Sequence, residues 1–77
     1  MLTDKQRSDI FLKIEELDLT VSKVSRIIRC SNTSVRAVIY DGDNNHNVEY
    51  RLVLWSQDKL RFTENGKIDF EFINSRS

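Results

Sequence analysis

Five residues between Asn32 and Tyr40 carry side chains suited to recognising another molecule: Asn32, Thr33, Ser34, Arg36 and Tyr40. They offer a carboxamide, hydroxyls and a guanidinium, and no carboxylate interrupts them. Such groups can meet base edges and donate to phosphate oxygens. Upstream, Thr20, Ser22 and Lys23 add two hydroxyls and an ammonium. Net charge is zero over 77 residues, yet the charge is unevenly placed. Residues 1–19 hold three basic and five acidic side chains, residues 20–40 four basic and none acidic, and residues 41–77 five basic and seven acidic. The acid-free middle third, with Lys23, Arg26, Arg29 and Arg36, is therefore a candidate surface for a polyanion on a slightly acidic body.

Catalysis has little to work with. His46 is the single histidine and lies in a polar run. One histidine and one cysteine cannot build a zinc site, so no metal is expected. Glu15-Glu16 and Asp41/Asp43 are paired acids without a nucleophile or base beside them. The run Asp41-Gly42-Asp43-Asn44-Asn45 lacks the glycine and closing glutamate that a calcium loop needs at its fixed positions. There is no glycine-rich phosphate loop. We expect a binding module with no cofactor. A lone Cys30 excludes an intramolecular disulfide and sits in an apolar slot of the pattern, as a reduced thiol would. The polar start MLTDKQRSD and the lack of a long apolar run lead us to expect a cytoplasmic protein with no membrane association.

The elements that must position these residues fit one small domain spanning 1–77. A first helix is expected over 3–18, opened by a Thr3/Gln6 capping box, with Ile10, Ile14 and Leu17 at helical spacing and Lys13, Glu15 and Glu16 outward. Thr20 and Ser31 read as N-caps of two further short helices within 20–41. The second buries Val21, Val24, Ile27 and Ile28, with small Ser25 on the same side. The third buries Val35 and Val38, turns Asn32, Thr33, Arg36, Ala37 and Tyr40 outward, and stops at Gly42. A loop over 42–47 leads to alternating residues, from which a three-stranded antiparallel β-meander over 48–73 is expected, with a frayed tail. Val48, Tyr50, Leu52 and Leu54 would line one face, and Glu64-Asn65-Gly66-Lys67 would turn the second hairpin. A two-residue turn pairs Phe62 with Asp69; a bulged three-residue loop pairs Phe62 with Phe70, and burial favours the latter.

Val21–Tyr40 resembles the helix-turn-helix of bacterial and phage transcription regulators. The apolar positions of that pattern are filled by Val24, Ile28, Cys30, Val35 and Val38, and Ser31-Asn32-Thr33-Ser34-Val35 is similar to the start of a recognition helix. Two positions depart from it: Ser25 stands where alanine is usual, and Arg29 where glycine often forms the turn. The whole order also resembles winged-helix proteins, whose hairpin tip touches DNA. The resemblance implies an α+β fold, a three-helix bundle with a winged-helix-like β-meander. It implies sequence-specific binding of double-stranded DNA through Thr20, Ser22, Lys23, Asn32, Thr33, Ser34, Arg36 and Tyr40, with wing contacts from Arg61, Asn65 and Lys67. Regulation would work by occupancy of an operator or promoter, as a homodimer. The alternative is a small phage or accessory protein that uses the same fold to bind and inhibit a host protein or nucleic-acid enzyme.

Overall fold

Four helices wrap one apolar cluster, and a strap and a short fifth helix close the chain. The computed structural model describes residues 1–75. The helices are α1 (Asp4–Glu16), α2 (Val21–Ile28), α3 (Asn32–Asp41), α4 (His46–Ser56) and α5 (Phe70–Ser75). Each of the first four begins at a side-chain cap. Thr3 accepts from the Gln6 amide at 3.1 Å while Gln6 returns a bond to the Thr3 amide at 2.9 Å. Thr20, Ser31 and Asn45 accept from Lys23, Ser34 and Val48. These caps satisfy first-turn amides that have no partner inside the helix. The core is Ile10 from α1, Val21, Val24 and Ile28 from α2, Val35, Val38 and Ile39 from α3, and Val48, Leu52 and Trp55 from α4, joined by Leu2.

The expected β-meander is absent: the chain is helical, and among the described residues the β pairing is a single antiparallel bridge between Phe62 and Ile68. The α+β, winged-helix-like fold is thereby corrected. The run Val48–Trp55 is apolar enough to satisfy two periods at once. Val48, Leu52 and Trp55, four and three residues apart, are buried, whereas Tyr50, which alternation places beside Leu52, is exposed. Helical spacing wins because Asn45 caps α4 and because this stripe completes the core left open by α1, α2 and α3. The loop expected over 42–47 shortens accordingly, since α4 begins at His46.

The Asn-Gly turn does form, but in neither expected register. Thr63 N donates to Lys67 O at 2.7 Å, Gly66 takes φ 78°, and Asp69 N donates to Arg61 O at 2.8 Å. Phe62 thus lies opposite Ile68, one residue short of the two-residue register. The third strand is replaced by α5, whose first residue Phe70 stacks on Tyr50 at 6.4 Å. Asn74 and Ser75, expected in a frayed tail, belong to α5; Arg76 and Ser77 lie outside the described residues.

Lys13 is a further correction. It does not point outward: its side chain is 16% exposed, donates to Trp55 O at 2.6 Å, pairs with Asp58, and lies 5.0 Å from the Trp55 ring centre. One lysine thereby ties α1 to the C-terminal end of α4, where cations are favoured. Ile27 is likewise exposed where the stripe of α2 was expected to bury it. No helix among the described residues is long and apolar enough to cross a membrane.

Candidate nucleic-acid interface

The turn between α2 and α3 is built around Arg29. Its φ and ψ of 58° and 46° are left-handed, the conformation glycine adopts at least cost. Cys30 N closes the turn onto Ser25 O at 3.0 Å, the long-range bond of a Schellman motif. A left-handed non-glycine residue costs about 1–2 kcal/mol. The Arg29 side chain offsets part of this, because its guanidinium carbon lies 4.2 Å from the Phe62 ring centre, a contact worth about 1 kcal/mol. Arg51 reaches in from α4: its Nη1 donates to Ile28 O at 2.9 Å and Arg29 O at 3.3 Å. These are end carbonyls that α2 itself cannot satisfy, at the negative end of its dipole. The guanidinium of Arg51 also lies 5.4 Å from Phe62. The departure from glycine at Arg29 is therefore accommodated by three side chains that converge on the turn.

Ser25 is 5% exposed and donates to Ser22 O at 2.6 Å, so its hydroxyl is satisfied inside α2 while its small size lets α3 approach. Across the pair, Asn32 Nδ2 donates to Ser22 Oγ at 3.0 Å. This bond joins the first turn of α2 to the first turn of α3, so the positive ends of both helix dipoles open on the same side.

The expected contact residues fall into three groups. Lys23, Asn32, Thr33, Arg36 and Tyr40 are exposed, and Ser22 is half-buried beneath Asn32. Thr20 and Ser34 are engaged locally: Thr20 caps α2, and Ser34 accepts from Ser31 Oγ at 2.8 Å while its amide bonds the same hydroxyl. Tyr40 lies at the far end of α3, tilted against Phe11 with ring centres 6.0 Å apart. Arg61, Asn65 and Lys67 sit around the tight turn of the strap, with Arg61 held over Phe72 at 5.0 Å. A Cβ built on Gly66 would lie 3.4 Å from Arg29 Nη1, so this turn abuts the α2–α3 turn. Among the described residues no ion pair neutralises Lys23, Arg26, Arg29 or Arg36. Residues 20–40 thus present exposed, unpaired cations with no acid among them, a charge suited to a polyanion.

Sequence reasoning missed Arg51 and Phe62, the two side chains that brace the turn. Arg51 precedes Leu52, so a helical reading of 46–56 would have set it on the flank of the buried stripe; a strand reading hid it. Phe62 was assigned to a sheet that does not form.

Cys30 is part of this support. Burial pushes its thiol pKa up from the ordinary 9.0, opposed by the nearby Arg51 charge and hydrogen bond. A raised pKa leaves less thiolate at neutral pH, and the thiolate is the nucleophile. Alkylation of the folded protein by iodoacetamide at pH 8 is therefore expected to run several-fold slower than that of the unfolded chain. Mass spectrometry with and without urea measures this, and equal rates would contradict the packed position of Cys30.

No family model, curated protein or solved structure matches the chain.

Proposed function

We propose that this chain is a small sequence-specific DNA-binding regulator that lays the N-terminal end of α3 in the major groove and grips the flanking backbone with the start of α2. Its mechanism is occupancy of an operator or promoter, with two copies reading two half-sites. The observation that carries this reading is the Asn32–Ser22 hydrogen bond at 3.0 Å. It holds a polar, acid-free helix end beside a second helix N-terminus, in a frame braced by Arg29, Arg51 and Phe62. The bond also fixes what Asn32 can read. One Nδ2 hydrogen is given to Ser22; the other hydrogen and the carbonyl oxygen remain for a base edge. That donor–acceptor pair matches N7 and N6 of adenine, whereas guanine offers two acceptors at the same edge. The Ser22 hydroxyl hydrogen stays available to a phosphate, and Lys23, Arg26 and the first-turn amides of α2 supply further backbone contacts.

The test compares base preferences. Asn32→Ala is expected to lose about 1–3 kcal/mol of discrimination for adenine at one position of each half-site. Ser22→Ala is expected to loosen the same position by a smaller amount while leaving the melting temperature nearly unchanged. Competition binding on duplexes substituted one base pair at a time reads both effects. An unchanged preference in Asn32→Ala would remove Asn32 from the interface.

A further inference from the structure

A second surface shares no residue with the α2–α3 face. Two adjoining cavities, about 420 and 330 Å³, run along the C-terminal part of α1 and the end of α4, and both are lined by Lys13, Leu17 and Asp58. Trp55 and Leu60 line the inner cavity, and Leu12 the outer. Leu12 in α1 and Leu17 at its C-cap are 53% and 55% exposed and line the same cavity, a large apolar area to leave in water. The rim is negative. Asp9, Glu16 and Asp58 line the groove, and Glu15 and Asp18 follow on the same end of α1. Lys13, the cation that lines the groove, is paired with Asp58 beside the Trp55 ring, and Asp9 is paired with Lys5 at 3.3 Å, so neither lysine offsets Glu16 and the carboxylates next to it. Glu15, Glu16 and Asp18 make no ion pair among the described residues.

We infer that this groove docks a cationic amphipathic helix of a partner protein. Its apolar residues, spaced one helical turn apart, would cover Leu12 and Leu17, and its flanking Lys or Arg side chains would meet Glu16 and the neighbouring carboxylates. Charge complementarity selects this occupant. An acidic rim repels anionic lipid headgroups and nucleic acid alike, and an uncharged helix would leave the carboxylates without partners. The protein would then carry two poles, a basic face for DNA and an acidic groove that brings a protein to it. The groove's occupant does not depend on what α3 binds.

Trp55 is the single tryptophan and lies in the groove, so its fluorescence reports occupancy. The probe is a synthetic Leu/Lys helix of about 14 residues with leucines at i, i+3, i+4 and i+7. Its controls are a scrambled peptide of equal composition and a Leu/Glu peptide. Saturable binding of the amphipathic Leu/Lys peptide alone is expected, with a Trp55 emission change and amide shifts centred on Leu12, Glu16, Leu17 and Leu60. Leu17→Ser and Glu16→Lys are each expected to weaken it about tenfold. Both residues are exposed, so the fold is retained, and Arg36→Ala is expected to leave peptide binding unchanged. Equal binding of the scrambled peptide, shifts centred on another surface, or no response at millimolar peptide would overturn the proposal. So would concentration-dependent self-association abolished by Leu17→Ser, which would make the occupant a second copy.

Discussion

Replacing Arg36 with alanine is expected to weaken binding to the selected duplex by about 1–3 kcal/mol, roughly 5- to 150-fold, while leaving the fold intact. Arg36 is exposed, lies one helical turn beyond Asn32 on the same face, and has no ion pair among the described residues. Removing it opens no cavity, so the melting temperature should hold within the range of ordinary surface substitutions. The guanidinium can meet a guanine edge with two donors or a phosphate with its charge, and lysine separates the two roles. If the contact is to guanine, Arg36→Lys recovers affinity for non-specific DNA but not the preference at that base pair. If it is to phosphate, Arg36→Lys recovers most affinity on every sequence. Fluorescence anisotropy on specific and scrambled duplexes distinguishes these outcomes. Unchanged affinity in Arg36→Ala would place the interface elsewhere.

Leu52→Ala is expected to destabilise the protein by about 2–5 kcal/mol, a large share of what a domain this small can have. Leu52 is fully buried in α4 and belongs to the cluster that joins all four main helices. Truncating it leaves a cavity beneath α2 and α3, so the α2–α3 pair would lose its platform as well. At about 4–8 °C per kcal/mol for a domain of this size, the melting temperature should fall by at least roughly 8 °C. Tyr50→Ala is the informative companion. In a strand, residues 50 and 52 share a face; in α4 they diverge, and Tyr50 is 42% exposed with its ring stacked on Phe70. Tyr50→Ala should therefore cost far less than Leu52→Ala in thermal melts followed by circular dichroism. Equal losses would contradict the helical assignment of 46–56.

The three helices of the first 42 residues were legible because each carries independent marks that agree, even though Lys13 and Ile27 take the opposite sides from those their spacing implied. Thr3, Thr20 and Ser31 cap, Ile10, Val24, Ile28, Val35 and Val38 repeat at helical spacing, and Gly42 stops α3 with φ 69°. Beyond Gly42 the marks conflict. Val48, Tyr50, Leu52 and Leu54 alternate, while Val48, Leu52 and Trp55 repeat at helical spacing; only the shape of the core left by α1–α3 decides between them. Asn45 caps α4, but among neighbouring Asp and Asn residues its role reads as part of a turn. Asn65-Gly66 did mark a turn, yet the strap around it pairs through one bridge because Phe62 is held by Arg29 and Arg51 instead of by a sheet. Of the outward positions that the period of α3 implies, Asn32, Thr33, Arg36 and Tyr40 are exposed, whereas Ala37 is half-buried. The bond from Asn32 to Ser22 and the buried reach of Arg51 are tertiary contacts, and no local pattern encodes them.

Selection of duplexes from a random pool at low salt, with mass measured on the complex, tests the central claim most directly. The α2–α3 face predicts an enriched motif containing adenine, two copies of the chain per duplex, and affinity that falls steeply as salt rises, with a slope near 0.9 per phosphate neutralised. Asn32→Ala and Arg36→Ala should each erase part of that motif. A pool that emerges unenriched, with no duplex retained even at about 50 mM salt, would contradict the account.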